Sequence, residues 1–365
     1  MKIAFVVHDF LRGVGHGRYC IELAKRFARE HEIYVFANQF ESDLDFPIQR
    51  RPVPAWRATA LTSVLSFAGQ ADKGLQREKF DVIHAQGFSC GRADVITAHV
   101  CNAARYGRVG ALGFWKQAFP ALVIPRERKF FERSAGAEVI AVSNVLKREL
   151  EEEYGCSRVE VVYHGVDTSE FSLANAQQKT DLRKQLRLPL DEWIWMFSGE
   201  ASKGLEETVR ALVEFPNAHL VVVSRSSLEV FEKIAAALGI SDRVSFRNAT
   251  DGIARVYRAA DVFVYPSRYD TFAMVVAEAM ACGLPVVVGK GIGAAEWIHH
   301  GENGFVCDPK EVAEPLRWIT SQSSGNIEDI GRRARATTLE HTWDDCAART
   351  MAVYRRVMAS KRESR

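Results

Sequence analysis

Apolar residues come in short continuous runs along this chain, separated by longer stretches with helical spacing. The runs at 3–7, 32–37, 82–85, 95–98, 139–142 and 159–163 are mostly apolar, the pattern of buried strands. Residues 18–30 fill the first gap with an amphipathic helix. A polar stretch at 172–180 interrupts the series, which then resumes: strand 193–198, helix 205–214, strands 220–223 and 244–246, helix 252–259, strand 261–265, helix 271–282, strand 286–288. Strands alternating with helices predict α/β domains with doubly wound parallel sheets. The expected division is residues 1–171, residues 172–345, and a final helix within 346–365 returning to the first domain, with 361–365 as a disordered charged tail. Open sheets of this kind bind ligands beyond the carboxyl ends of their strands, so a cleft between the two domains is the expected site.

The most informative stretch runs from strand 261–265 to strand 286–288. Asp270 and Glu278 stand eight residues apart, one just before the predicted helix and one about two turns into it. The first-turn N–H groups near Phe272, Ala273 and Met274 have no partner within the helix, and a helix start of that kind seats a phosphate. An anion seat with two hydroxyl-binding carboxylates suits a nucleotide-linked sugar. From residue types alone, a buried amphipathic helix with a capping Asp and a paired Glu reads equally well.

The segment resembles the E-x7-E element of retaining glycosyltransferases of family 4. The match runs through Pro266-Ser267, the acid spacing, Glu278-Ala279-Met280-Ala281 and Cys282-Gly283-Leu284-Pro285-Val286-Val287. Asp270 stands where that family has Glu, and Ala273 where it often has Gly. The resemblance implies the GT-B fold, two Rossmann-like doubly wound domains facing a cleft, and a hexosyltransferase using a nucleoside diphosphate sugar. On that resemblance Glu278 binds ribose hydroxyls and Asp270 sugar hydroxyls.

Other loops extend the likeness. Gly13-Val14-Gly15-His16-Gly17 follows the first strand, and Gly15 and Arg18 match the glycine-rich donor loop. It is not a G-x-G-x-x-G fingerprint, and no acid ends the second strand, so a nicotinamide enzyme is disfavoured. His84 and His99 close two strands; His99 matches the T-x-H strand end that faces the donor sugar, and His84 is a weaker candidate. His8, His16, His299 and His300 lack such context and are read as surface or loop residues. In the second half, Lys203 sits in the strand-to-helix turn where relatives carry Gly-Arg followed by Lys-Gly, and a cation there stabilises charge on a leaving diphosphate. Glu200 replaces the arginine, and Arg225 is a candidate to supplement it. Glu296, in Gly291-Ile292-Gly293-Ala294-Ala295-Glu296, either orients a loop near the sugar or caps a helix.

The stretch 105–129 departs from a routine α/β unit. Arg105, Arg108, Lys116, Arg126, Arg128 and Lys129 are interleaved with Phe114, Trp115, Phe119, Leu122, Val123 and Ile124, and Glu127 is the lone acid. Cations among aromatics suit an anionic membrane surface; a flap packed on its own domain is the alternative. Residues 99–103 and 131–133 are similar to lipopolysaccharide core glucosyltransferases, whose acceptor is membrane-borne.

Composition narrows the field. At 365 residues the chain can hold two cores, and a net charge of +2 gives no argument for nucleic-acid binding. Seven scattered cysteines form no C-x-x-C pair, so neither a disulfide framework nor a zinc site is expected. No apolar run reaches membrane-spanning length and the first residues lead straight into a strand, which points to the cytoplasm, with peripheral attachment to the inner face of the cell membrane as an option. The expectation is a retaining transferase acting on a glycan or lipid-linked acceptor such as lipopolysaccharide core. Its donor is a UDP-sugar, and no metal or other cofactor is required. A non-catalytic nucleotide-sugar-binding or partner protein of the same fold is the alternative.

Overall fold

The computed structural model describes residues 1–109, 114–134, 136–248 and 252–363, without the side chains at 60, 108, 109 and 114–119. It divides into two compact units, Met1–Gly165 with Trp343–Arg365, and Val166–Thr342. The division falls slightly before residue 171 because Phe171 is buried against Tyr257 in the second unit. It falls before 346 because Trp343 already opens the last helix.

The first unit runs β1 (Lys2–Val6), β2 (Asp9–Phe10), α1 (Gly15–Phe27), β3 (Glu32–Ala37), β4 (Gln39–Phe40), β5 (Gln49–Pro52), α2 (Ala60–Leu75), β6 (Val82–Gln86) and β7 (Val95–Ala98). It continues through α3 (Asn102–Val109), α4 (Phe114–Arg133), β8 (Glu138–Ala141), α5 (Asn144–Tyr154) and β9 (Val159–Val161). Seven strands form one parallel sheet in the order β5-β3-β1-β6-β7-β8-β9. From β1 the chain winds outward through β3 to β5, then returns to β6 on the other side of β1. The β1/β6 junction is therefore the switch point, where neighbouring loops diverge and leave a crevice.

The second unit holds α6 (Ala176–Gln185), β10 (Trp193–Ser198), α7 (Leu205–Ala211), β11 (Ala218–Ser224), α8 (Glu229–Ala237), β12 (Val244–Asn248), α9 (Ile253–Ala259) and β13 (Val262–Tyr265). After these come α10 (Met274–Ala281), β14 (Val286–Gly289), β15 (Phe305–Cys307), α11 (Ala313–Ser321) and α12 (Ser324–Leu339). Its parallel sheet is ordered β12-β11-β10-β13-β14-β15, which puts the switch point between β10 and β13. The last helix, α13 (Trp343–Glu363), belongs to the first unit and packs on α1, β6 and β7.

Several expectations change. Against the expected disordered tail at 361–365, Lys361 to Glu363 continue α13, and Lys361 pairs with Asp94 at 2.7 Å while donating to the Asp81 carbonyl at 2.9 Å. The helix expected at 271–282 begins only at Met274, because Ala273 adopts a left-handed conformation with φ +74°. A strong amphipathic signal could not have shown that stop; it is a backbone event.

Candidate active site

At the β10/β13 switch point two loops meet. The β10 loop carries Lys203, and Gly204 makes its close approach possible, since a Cβ there would collide with the Pro266 backbone. The Lys203 ammonium lies 3.3 Å from Asp270 and donates to the Tyr269 carbonyl at 2.8 Å. Asp270 also accepts from the Tyr265 hydroxyl at 2.9 Å and, at 3.4 Å, from the Phe272 N–H. Beside the carboxylate, burial and the Asp270 charge push the Tyr265 phenol well above its ordinary range, so it stays a proton donor. The loop after β14 zips onto this one: the Asp270 N–H donates to the Gly291 carbonyl and the Gly293 N–H to the Asp270 carbonyl, at 3.3 and 3.0 Å. Gly291 passes so close to the Arg268 carbonyl that no side chain fits. A carboxylate pinned by one cation, one phenol and two loops has little freedom, as an orienting group requires.

α10 follows directly. Of the three helix-start amides singled out in the sequence, that of Phe272 is turned to Asp270. Those of Ala273 and Met274 make no hydrogen bond among the described residues. Glu278, one turn in from the helix start, is buried and accepts from the Tyr257 hydroxyl at 3.1 Å. Arg225 follows β11 at the same sheet end and is exposed; its loop touches that of Lys203 through the Ala201 N–H and the Ser226 hydroxyl at 3.2 Å. Glu200 is exposed, and Glu296 lies half-buried in a short 3-10 turn, Gly293–Trp297.

The first unit has its own site at the β1/β6 switch point. A pocket of about 160 Å³ opens there, lined by His8 after β1, His16 on α1, Gln86 at the end of β6 and His99 after β7, with Val64, Val123 and Glu127 among its walls. The His99 Nε2 lies 2.8 Å from the Gln86 amide oxygen, which places the proton on that nitrogen. Burial, with the neighbouring His164, His16 and His84, holds His99 well below the ordinary imidazole range. Burial also lowers His16, and takes His8 to about 4. Gly15 is the first residue of α1, and Arg18 lies on the same turn, near enough to His164 to help keep that ring neutral.

His84 is withdrawn from the site. It is fully buried, with Nδ1 2.6 Å from the Tyr354 hydroxyl on α13 and Nε2 2.7 Å from the Thr97 hydroxyl on β7, so one ring nitrogen docks α13 and the other ties β6 to its neighbouring strand. His8 and His16, expected on the surface or in loops, wall the pocket instead, His8 held by its ring on Phe67 at 4.1 Å between centroids. The signal in the sequence was position. His8 follows a central strand directly, and His16 starts the helix after it. Of the stretch 105–129, Phe114, Trp115, Lys116 and Phe119 lie outside the described side chains, as does Arg108.

The comparisons with known proteins fit this geometry. Residues 14–170 match the family described as Glycosyltransferase Family 4, and residues 178–336 match Glycosyl transferases group 1. A D-inositol 3-phosphate glycosyltransferase of Xylanimonas cellulosilytica is 31% identical over 314 residues, covering 78% of this chain and 73% of that protein. The chain belongs to the family 4 glycosyltransferases. This glycosyltransferase is also 27% identical to an uncharacterized glycosyltransferase of Methanocaldococcus jannaschii, across 98% of this chain and 99% of that one. Among solved structures it is similar to WaaG, a glycosyltransferase involved in lipopolysaccharide biosynthesis, with TM-score 0.83 at 19% identity over 95% of this chain and 98% of WaaG. It is similar too to HepE of Anabaena in complex with UDP and glucose, with TM-score 0.75 at 18% identity over 96% and 98%. At these identities the likeness establishes the GT-B fold.

Proposed function

We propose that this family 4 glycosyltransferase moves a sugar from a nucleoside diphosphate sugar, a UDP-sugar first of all, to a glycan or lipid-linked acceptor such as lipopolysaccharide core, with retention at the anomeric carbon. The observation that carries the reading is the Lys203–Asp270 pair at the β10/β13 switch point, beside the free amides of Ala273 and Met274. When the bond from the anomeric carbon to the diphosphate breaks, its electron pair goes to the phosphate oxygen. A fixed ammonium and a helix start meet that charge without reorganising. Asp270 and His99 take sugar hydroxyls and Glu278 takes the ribose, with Arg225 and Glu296 as outer contributors; Gly15 and Arg18 are further donor-binding residues. The UDP-bound state of the similar HepE supports uridine as the nucleotide, and WaaG supports a lipopolysaccharide acceptor.

Calorimetric titration with UDP-, GDP- and ADP-sugars tests the donor. Micromolar binding of a UDP-sugar with slow hydrolysis is expected, and no binding of any of the three ends the reading.

Membrane attachment belongs to the same proposal. α4 buries Val123, Glu127, Phe130 and Phe131 on one side and exposes Leu122, Pro125, Arg126, Arg128 and Lys129 on the other. Among the described residues no helix is long and apolar enough to cross a membrane. Each exposed cation contributes about 1 kcal/mol at an anionic surface. Co-sedimentation with phosphatidylglycerol vesicles is therefore expected at low salt, and should vanish when Arg126, Arg128 and Lys129 become Ser. A parent protein that ignores those vesicles removes the membrane from the account.

A further inference from the structure

A second cavity of the first unit lies away from that unit's switch point. Residues 92–94 lead into β7, residues 136–137 into β8 and Arg158 into β9, and these stretches meet the ends of α4 and α13 around a pocket of about 310 Å³. It therefore sits at the amino ends of the strands, opposite the carboxyl ends where open sheets of this kind hold their substrates. Its lining is strongly basic: Arg92, Arg133, Arg158, Arg356 and Lys361 face two carboxylates, Asp94 and Glu138. Both acids are already engaged. Asp94 holds Lys361 at 2.7 Å and accepts from the Ile83 N–H at 2.9 Å. Glu138 holds Arg356 at 3.6 Å, and that guanidinium also pairs with Glu160.

Three guanidinium groups are left over. Arg92, Arg133 and Arg158 make no side-chain hydrogen bond or ion pair among the described residues. One exposed arginine is ordinary, and Arg133, in the last turn of α4, also complements the helix dipole. Arg92 and Arg158 belong to no helix, so the dipole does not account for them. Brought from three elements to one concavity, the three create a positive potential that attracts anions. Each guanidinium is a planar fork of N–H donors that matches a pair of phosphate oxygens. A phosphate monoester offers three such oxygens and about two negative charges near neutral pH. At ~30 Å³ per group of water's size, the pocket has room for about ten such groups, enough for a phosphate and a carrier of a few carbons.

We propose that this pocket is a second ligand site, separate from the substrate crevice, which binds a phosphate monoester on a small carrier through Arg92, Arg133 and Arg158. It is a site for binding and not for turnover: its described lining offers no imidazole or thiol, and both of its carboxylates are paired. Filled, it ties the loops before β7 and β9 to the end of α4. The same phosphate chemistry is presented by a free ester and by the headgroup of phosphatidic acid, two sources that differ in the carrier. None of the three arginines is among the residues given to the donor, so the site stands whether or not the transferase reading does.

The experiment uses the full chain with glycerol 3-phosphate as probe and glycerol as its uncharged control, followed by saturation-transfer NMR. UDP is held at saturation, so that the phosphate seat of the second unit is filled. Arg92→Gln and Arg158→Gln, made singly and together, remove charge at exposed positions and leave the backbone bonds in place, including that from the Val139 N–H to the Arg158 carbonyl. The parent should bind glycerol 3-phosphate and not glycerol. Each single variant should weaken that binding about threefold, the scale of an exposed ion pair, and the double variant about tenfold. UDP affinity, read by calorimetry, should be the same in parent and variants. A second arm spins the same proteins with vesicles containing phosphatidic acid. If the parent leaves glycerol 3-phosphate unbound but sediments with these vesicles, and the double variant does not, the site stands and its phosphate comes from the headgroup. Equal binding of both probes by parent and double variant overturns the proposal, as does a parent that binds neither or binds glycerol as well as its phosphate. A parent that fails to bind UDP counts against the transferase reading alone, because the difference between parent and variants still reads this pocket. Melting curves without probe confirm that the variants fold.

Discussion

The two units share one architecture and place a site at the same topological position, yet they fill it with opposite chemistry. The second unit's switch point is ionic: Lys203 against Asp270, a polarised phenol, and a helix start. The pocket at the first unit's switch point is lined by imidazoles, an amide and apolar walls, and Glu127, the carboxyl among its described lining residues, is tied into hydrogen bonds. The same winding thus supplies a crevice, and the residues at the strand ends decide what it can hold. A site that must meet developing negative charge keeps a fixed cation.

The contrast should appear first as a difference in acid sensitivity. Burial takes His84 and His164 to about 3, against 6.5 when exposed, and Arg18 adds to the effect on His164. A depressed imidazole is neutral in the folded state while the unfolded chain takes up a proton, so between 3 and 6.5 the unfolded state binds more protons. Stability from these rings is complete above pH 6.5 and lost as pH falls below it. At pH 5 the loss is about 2 kcal/mol for each of the two rings. Differential scanning calorimetry from pH 8 to 5 should show the first unit's transition constant down to about 7 and falling from there. A transition that stays put down to pH 5 would mean the rings are already charged in the fold.

The ionic site is tested by removing charge. Lys203→Ala should lower turnover about 10²-fold, in the range of a lost transition-state donor, with donor affinity much less affected. Normal turnover would shift the role to Arg225 or to the helix start alone. Glu278→Gln should weaken nucleoside diphosphate binding by about 1.5–3 kcal/mol, the value of a charge-assisted hydrogen bond, and calorimetry reads it directly. If affinity is unchanged, Glu278 is a structural partner of the Tyr257 hydroxyl, and the ribose contact must lie elsewhere.

Much of this was legible beforehand because it is periodic or punctuated. The continuous apolar runs gave strands such as Glu32–Ala37, Val95–Ala98 and Trp193–Ser198 at their observed limits. Gly204 and Gly291 marked loops that their backbone contacts require to be glycine. What escaped was set by contacts between distant residues. Nothing near His84 in sequence announces Tyr354, which takes its Nδ1 from the far end of the chain. His8 and His16 gained their role from Gln86 and His99, with which they share a pocket only after four elements assemble. The short strands Gln39–Phe40 and Gln49–Pro52 and the helix Ala60–Leu75 fell in a stretch without a clear apolar rhythm. The Lys361 end of the last helix reads as a tail until Asp94 is placed beside it.

The smallest effect bears on how the ionic site is held. Ala273 sits at φ +74° and ψ 71°, a conformation in which an L-residue's Cβ crowds the backbone and costs about 1–2 kcal/mol. Glycine is free of that strain but brings extra unfolded-state entropy of about 0.4–1 kcal/mol. Ala273→Gly should therefore stabilise the second unit by a net of about 0.5–1 kcal/mol, raising its melting transition by about 2 °C. The amide at this position is backbone and survives the change, so affinity for the nucleoside diphosphate should stay within about twofold. Ala273→Val should go the other way on stability, because a β-branched side chain at positive φ is worse tolerated. Calorimetry on the two variants reads the pair of shifts. A glycine variant less stable than the parent would mean that the buried Ala273 methyl contributes more through packing than the backbone loses. The left-handed turn would then be held by its side chain, not endured for the sake of the free amide.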